Sequence, residues 1–414
     1  MTSSCLRDHR PCGAVALPVA LAMALAMLLY IGIVHGSLLT EQRLSANRYR
    51  AAVAFEAADA GIDFMLGRLN AGDPVDARCQ PESSPDLPSF REQQAGQPDG
   101  QGAWAPGGIP VLCSAEGTGW ACQCGAPALP AAAQPSVAPS AATFTVQMHP
   151  GTPADLLRIE SVGCSNPAQP CVPVPGRADA QARIAVSIGH VPALAQVPAA
   201  ALTVHGDLHL GSSPWILQHP SASGGLALHT GGTVVADRLA TLGPPGAPAR
   251  STVLASDPAL LGTERSHTFS RLFRMDAAAW QALPTVRRVD CPSACDNALR
   301  NAVGPGGHHT MLWLNGGLHL EGPLQLGTPS RPVVIIADGP IALRGPLTVH
   351  GLVYTTSSHW QAPAGADIFG AVVAEGALRG NGITRIRHDA EVLQALHDRT
   401  GTFVRVPGSW KDFE

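Results

Sequence analysis

Eight cysteines are the residues of this chain whose type and spacing most directly indicate chemistry. They follow an apolar N-terminal segment, are even in number, and several lie in close pairs. This pattern favours disulfides formed in an oxidising compartment, with the bulk of the chain outside the cytoplasm. A zinc site built from two close pairs is the alternative, but no tidy second Cys-x-x-Cys supports it. The disulfide candidates are Cys79, Cys113, Cys122, Cys124, Cys164, Cys171, Cys291 and Cys295.

Sixteen histidines and a few carboxylates are the next candidates for chemistry. His205 and His209 lie four residues apart on a predicted strand, which would place both on one face. Carboxylates are sparse nearby, so solvent-facing histidines are favoured over a metal site. Asp207, Glu321 and Glu375 could line the groove of a polysaccharide-cleaving β-helix enzyme, but their spacing singles out no pair. The sequence therefore predicts no catalytic residue, no metal and no cofactor, and it favours a protein that is not an enzyme.

The composition of the 414 residues limits the class of protein. Charged residues make up 14% and hydrophobic residues 45%, which excludes a highly charged disordered chain. The net charge of −4 gives no basic field for nucleic acid, so no nucleic-acid partner is expected. The 44 glycines and 37 prolines favour a loop-rich β protein over a helical bundle.

An apolar segment at residues 14–34 carries no charge. As a helix it is long enough to cross the roughly 30 Å hydrocarbon layer of a membrane. A cleaved secretory signal would be shorter, and residues 33–36 make a poor Ala-x-Ala site. A plain membrane anchor is the second alternative.

The helix is predicted to continue beyond the membrane. Residues 37–70 contain no proline, and residues 70–74 form a stop signal. One apolar stripe runs along this second half, which predicts that it packs on a sheet. The combined helix over 14–70 would be about 85 Å long at 1.5 Å per residue. The stripe consists of Ala51, Phe55, Ala58, Ile62, Met65 and Leu69.

The N-terminal region resembles that of the PilX-type type IV pilus assembly proteins, which are minor pilins. The resemblance rests on a short basic leader ending in Gly13, the apolar run, and residues 41–48 (EQRLSANR) and 54–61 (AFEAADAG). It covers about residues 12–69 and is distinctive as a combination. Residues 406–413 (VPGSWKDF) resemble endings in that family with lower specificity.

The resemblance implies cleavage by prepilin peptidase between Gly13 and Ala14, and methylation of the new N-terminus. It places Ala14, Pro18, Leu21 and Leu28 in the core of a filament. Major pilins carry Glu at the fifth mature position, where this chain has Pro18. A filament made only of this chain would leave the buried N-terminal ammonium unpaired, which argues for a tip or priming position. Implied partners are other minor and major pilins, prepilin peptidase, the inner membrane and a tip adhesin.

The expected fold is α+β. Residues 1–13 are the leader, 14–36 the membrane or filament-core helix, and 37–191 a pilin-like domain with an amphipathic helix, a cysteine-rich loop and an antiparallel meander. Alternation predicts the meander strands at 143–148, 156–163 and 182–188. Residues 192–414 are predicted to form a β-rich extension, either β-helix-like or a sandwich, because short β-signals recur with glycines between them. An inserted excursion is expected at about 257–303.

These features favour a structural minor pilin that initiates or caps a type IV pilus. Three alternatives remain open at this stage: a displayed adhesive or partner-binding head, a minor pseudopilin of a type II secretion system, and a membrane-anchored β-helix enzyme acting on polysaccharide. The expected location is the bacterial inner membrane, single-pass with a cytoplasmic N-terminus and a periplasmic body, and the pilus or cell surface after assembly.

Overall fold

The computed structural model describes residues 16–84, 86–99, 102–125, 142–165, 171, 180–220, 225–244, 246, 248–262 and 265–412. The predicted leader, including Gly13, and the first mature residue Ala14 lie outside these ranges. The described chain forms a helix–sheet module, followed by a parallel β-solenoid.

A single helix, α1 (Ala16–Ala71), opens the described chain and runs without a break through His35. Its 56 residues correspond to about 84 Å. The predicted long N-terminal helix is therefore confirmed. Gly72, with a φ of +77°, ends it, because only glycine adopts this backbone conformation freely.

The helix–sheet module places α1 on a six-stranded antiparallel sheet of order β2-β1-β3-β4-β5-β22. The three predicted meander strands correspond to β3, β4 and β5. The bounds are α2 (Phe90–Gln94), β1 (Val111–Glu116), β2 (Gly119–Cys124), β3 (Thr143–Pro150), β4 (Leu156–Cys164), β5 (Gln181–Pro192) and β22 (Gly401–Arg405).

Two expectations about this module need correction. The cysteine-rich segment is not only a loop, because β1 and β2 form a hairpin within it around Gly117, whose φ is +58°. The C-terminal residues do not belong to the extension, because β22 pairs with β5 and Lys411 bridges to Ala185 of the same strand. The β-rich extension that was predicted over residues 192–414 therefore ends before β22.

The solenoid has three parallel faces, which excludes the sandwich alternative, since its strand pairs are all parallel among the described residues. Face 1 contains β6 (Ala200–Val204), β9 (Leu226–Thr230), β12 (Val253–Leu254), β13 (Val286–Asp290), β14 (Met311–Asn315), β17 (Val333–Asp338) and parts of β19 (Leu347–Thr355) and β20 (His359–Ala374). Face 2 contains β7 (Leu208–Leu210), β10 (Val234–Ala236), β15 (Leu318–Leu320), β18 (Ile341–Leu343) and parts of β20 and β21 (Leu378–Arg387). Face 3 contains β8 (Trp215–Gln218), β11 (Leu239–Leu242), β16 (Leu324–Leu326) and the remaining parts of β19, β20 and β21.

Glycines turn the corner between faces 3 and 1. Gly351 and Gly370 pair with each other in adjacent coils, with φ values of +149° and +142°. A Cβ on Gly370 would overlap the carbonyl oxygen of Gly351, and one on Gly351 would overlap that of Val333. The coils can stack at this corner only because neither residue has a side chain.

The coils of the solenoid are not stacked in chain order. Along face 1 the order is β13-β14-β17-β19-β20-β6-β9-β12, so the first coil of the chain stacks on the last one. The chain enters and leaves the solenoid at adjacent coils in its middle, from β5 and towards β22. The predicted excursion links the two ends through α3 (Pro258–Leu261), α4 (Arg265–Phe273) and α5 (Ala277–Gln281), but it also contains the solenoid strand β13.

Helices cover one end and one outer side of the solenoid. The end at β13 is covered by α6 (Asp296–Val303), whose Leu299 and Val303 join the solenoid core. The outer side of face 1 is covered by α4, α5 and α7 (Ala390–Asp398). Phe273 and Trp280 of these helices contact Tyr354 and Trp313 of the face.

A cluster of aromatic rings joins β5 to β22. The His190 ring centroid lies 5.3 Å from that of Trp104 and 5.4 Å from that of Phe403. Burial lowers the pKa of His190 well below its usual value, and the charges of Arg91 and His397 lower it further. Folding therefore holds this imidazole in its neutral form.

Acidification is expected to destabilise the fold in part through His190. Above the unfolded-state pKa, about 6.5, the residue is neutral in both states. As the pH falls below that value, only the unfolded state takes up the proton, so stability is lost down to the folded-state pKa. His190→Phe should reduce the drop in the unfolding midpoint between pH 7.5 and 5.5. The exposed His359→Phe is the control, and an equal drop in both variants would contradict the expectation.

Candidate functional site: the projecting helix

The N-terminal half of α1 exposes large apolar side chains along its described length. Leu17 is 71% exposed, Leu28 67% and Ile33 72%. Pro18 and Leu21, which the resemblance places in a filament core, are also on this exposed surface. Such a surface is not stable in water and requires lipid or other apolar helices around it.

The same helix is the one in the described chain that is long and apolar enough to span a membrane. None of its most apolar part is buried in the protein. A soluble core helix would be covered by its own chain, whereas the described residues leave this segment uncovered.

The second half of α1 packs on the sheet through a stripe of small and aliphatic side chains. Four of the six predicted packing residues, Ala58, Ile62, Met65 and Leu69, are buried. Ala51 and Phe55 are exposed, so the expectation that they pack on the sheet is wrong. The buried stripe begins at Ala54, where β4 reaches its last residues, and the earlier turns of the helix extend beyond the sheet. The Phe55 ring instead makes an edge contact with Trp410, with 5.9 Å between centroids.

Two glycines bring the helix unusually close to the sheet. A Cβ on Gly163 of β4 would overlap the Ala54 carbonyl oxygen and the Ala58 nitrogen of α1. A Cβ on Gly61 of α1 would overlap the hydroxyl of Ser161. The local sequence around Gly61 does not indicate this close approach, because the residue that it contacts, Ser161, is distant in the chain.

Asn70 attaches the C-terminal end of α1 to the last strand of the chain. Its Nδ2 donates to the carbonyl oxygen of Phe403 at 2.9 Å, and its Oδ1 accepts from the Phe403 amide at 2.9 Å. The side chain thereby occupies the place of a further strand beside β22. In the sequence, Asn70 is recognisable only as part of the stop signal at residues 70–74.

Asn70→Ala is expected to lower the free energy of unfolding by about 2–3 kcal/mol. The change leaves two buried backbone groups of Phe403 unpaired, and each such group is costly. Urea unfolding of the full chain in detergent measures the loss. Asn301→Ala, at an exposed position of α6, should change stability by less than about 0.5 kcal/mol. Equal losses would refute the role of Asn70.

All eight candidate cysteines are paired as disulfides, which leaves no zinc half-site among them. Three pairs lie in the helix–sheet module and one lies at the covered end of the solenoid. The pairs are Cys79–Cys124, Cys113–Cys122, Cys164–Cys171 and Cys291–Cys295. Cys79–Cys124 ties the segment after α1 to β2, and Cys113–Cys122 joins the two strands of the hairpin.

The candidate catalytic groups of the solenoid have structural partners. His205 is buried and His209 is exposed, so they do not share a face, because a corner at Gly206 separates them. Asp207 accepts from the amide and hydroxyl of Thr233, and these hydrogen bonds lower its pKa. Glu321 lies at a different corner and pairs with Arg344 at 3.0 Å. The arrangement does not bring Asp207 and Glu321 together as a pair.

No protein-family model, curated protein or solved structure matches this chain.

Proposed function

We propose that this protein is a structural minor pilin that initiates or caps a type IV pilus. One observation carries the proposal: a single unbroken helix is apolar and uncovered over one half, and packed on its own sheet over the other. The uncovered half can lie in lipid before assembly and against the helices of other subunits after it. Both environments remove the same apolar surface from water, so transfer between them costs little.

The beginning of the helix supports a terminal position in the filament. In major pilins, a Glu at the fifth mature position pairs with a neighbouring N-terminal ammonium. Here Pro18 provides no carboxylate. A subunit at the tip has no neighbour above it whose ammonium would need that carboxylate, so the loss is tolerated there.

Processing at Gly13 is the direct test of this proposal. Mass spectrometry of the mature protein should find an N-terminus at Ala14 that carries one added methyl group. Gly13→Val should retain Met1 and disappear from sheared pili. Gly67→Ala, at an exposed position in the second half of α1 with no heavy atom within 4 Å, should be processed and assembled normally.

Two results would contradict the proposal. One is a mature N-terminus near Gly36, which indicates a cleaved secretory signal. The other is recovery of the protein in pili with residues 1–13 still attached.

A second candidate function, a partner-binding head, is favoured by a difference between the two ends of the solenoid. One end is covered by α6, whereas the other ends in β10, β11 and β12, each with a single neighbouring strand in the described chain. Val235, Leu242 and Leu254 are exposed there. Strand edges without a neighbouring strand, as at β10 and β12, bind an extended segment that adds a further strand, so the partner would be a protein supplying such a segment.

Charged substitutions at the open end test the head separately from assembly. Val235→Lys combined with Leu242→Lys should abolish attachment of the pili to the partner protein, while pili still form. Ile383→Lys, at an exposed apolar position on the side of the solenoid, is the control. Unchanged attachment in the double variant would remove this candidate.

A further inference from the structure

A cavity of about 90 Å³ lies where the helix–sheet module meets the solenoid. One water molecule needs about 10–15 Å³ on this measure, whereas drug-sized ligands occupy sites of roughly 300–1,000 Å³. The cavity therefore fits a small ion or the end of a larger group. Its wall is formed by α2 and the segment that follows it (residues 89–98 and 104), by residues 308, 310, 330 and 331 on the solenoid side, and by residues 399 and 400 between α7 and β22.

The wall carries more positive than negative charge. Arg91, Arg331 and Arg399 line it, together with Glu92 as the one carboxylate residue. Glu92 already has two partners, since its Oε1 lies 3.2 Å from Arg331 Nε and its Oε2 lies 3.6 Å from His308 Nδ1. Arg91 and Arg399 form no ion pair with any described residue, so neither guanidinium is directly paired with a carboxylate of the described chain.

Glu92 is ionised and is held in place. Burial raises the pKa of its carboxyl, but the hydrogen bond from the Ser89 amide and the charges of Arg331 and His308 outweigh this and lower it. The negative charge of Glu92 is therefore committed to Arg331, and a further anion would interact with the remaining arginines.

Arg91 provides a donor that lacks an acceptor. Its Nη1 donates to the Gly401 carbonyl oxygen at 2.6 Å, and its guanidinium lies 4.6 Å from the Phe403 ring centroid. Its Nη2 is buried and has no hydrogen-bond partner among the described residues. Burial lowers the pKa of Arg91 to about 10, although the charge of Glu92 acts in the opposite direction. An orphaned donor of a partly buried cation is costly unless an acceptor completes it.

We propose that this cavity binds a small oxyanion, held by Arg91, Arg331 and Arg399. A planar guanidinium presents paired N–H donors that match the oxygens of carboxylate and phosphate groups. The bound oxyanion would offset the positive charges that Arg91 and Arg399 bring to the wall. Because the wall comes from both modules, the ion would also join the solenoid to the helix–sheet module. This inference is independent of filament assembly.

Titration with inorganic phosphate and with acetate tests the proposal on the full chain in detergent, with sodium chloride matching the ionic strength. Calorimetry should detect saturable binding of at least one of the two ions at one site per chain. Thermal unfolding should shift upward in parallel, since an ion at a hundred times its Kd favours the folded state about a hundredfold. Phosphate and acetate together show whether the site prefers a tetrahedral or a planar oxyanion.

Arg399→Gln, at an exposed position on the cavity rim, should weaken binding at least tenfold and still fold. Arg91→Gln should do the same if it folds. Arg379→Gln, an exposed solenoid arginine outside the cavity, should bind like the native chain. The proposal is overturned if neither ion binds saturably, which indicates a water-filled cavity. Equal affinity in the Arg399 and Arg379 variants also overturns it, because binding would then be non-specific.

Discussion

Replacing Gly163 with alanine is expected to lower the free energy of unfolding of the helix–sheet module by about 3 kcal/mol or more. The new methyl group would overlap backbone atoms of Ala54 and Ala58, which cannot move aside as the end of a flexible side chain can. Helix α1 would have to shift away from β4 along its whole buried face. Overpacking of this kind costs about 1–3 kcal/mol in ordinary cores, and a backbone obstacle leaves less room for relaxation.

Two glycines of α1, Gly67 and Gly61, provide the comparison for Gly163 of β4. A methyl group on Gly67 would meet no heavy atom within 4 Å, so Gly67→Ala should stabilise the helix by about 0.5–1 kcal/mol. Gly61→Ala should fall between the two, because the Ser161 side chain that it meets can rotate. Urea unfolding of the three variants in detergent gives the order. If Gly163→Ala were as stable as Gly67→Ala, the helix could not lie on the sheet as described.

The local elements of this fold could be predicted from the sequence because their signals are periodic. The apolar spacing of Ile62, Met65 and Leu69 reports one helix face, and the alternation in β3 to β5 reports strands. The predicted apolar stripe is wrong only at Ala51 and Phe55, which are exposed. Periodicity tells which side of a helix is apolar, but it does not tell where the covering sheet ends.

The pairing of strands that are distant in sequence could not be predicted. The alternation that identifies a strand is local and does not indicate which other strand it pairs with. Leu202 pairs with Val372 across the middle of the solenoid, and Gly401 returns to pair with Pro192. The candidate anion cavity could not be predicted for the same reason, because it also depends on contacts between distant parts of the chain. Arg91, Arg331 and Arg399 are far apart in the chain and meet only because β22 returns to the first sheet. No spacing rule could have grouped them.

Removal of the Cys79–Cys124 disulfide should destabilise the protein by about 4 kcal/mol. The bridge spans 45 residues of sequence and links the segment after α1 to β2, so its loss frees a long loop in the unfolded state. Cys291–Cys295 spans only 4 residues, and its loss should cost about 2 kcal/mol by the same reasoning. The double replacements Cys79→Ala/Cys124→Ala and Cys291→Ala/Cys295→Ala therefore form a matched comparison.

The comparison also separates the two modules. Loss of Cys79–Cys124 should loosen the sheet on which α1 packs. Loss of Cys291–Cys295 should instead affect the end of the solenoid that α6 covers. Protease digestion of the folded full chain should accordingly cut the first variant after α1 and the second near residues 291–303. Equal losses of stability in the two variants would mean that the length of the closed loop does not determine how much each disulfide stabilises the protein. If the proposed pilus function holds, the first variant should also be depleted from sheared pili more strongly than the second, because only the first disturbs the support of the projecting helix.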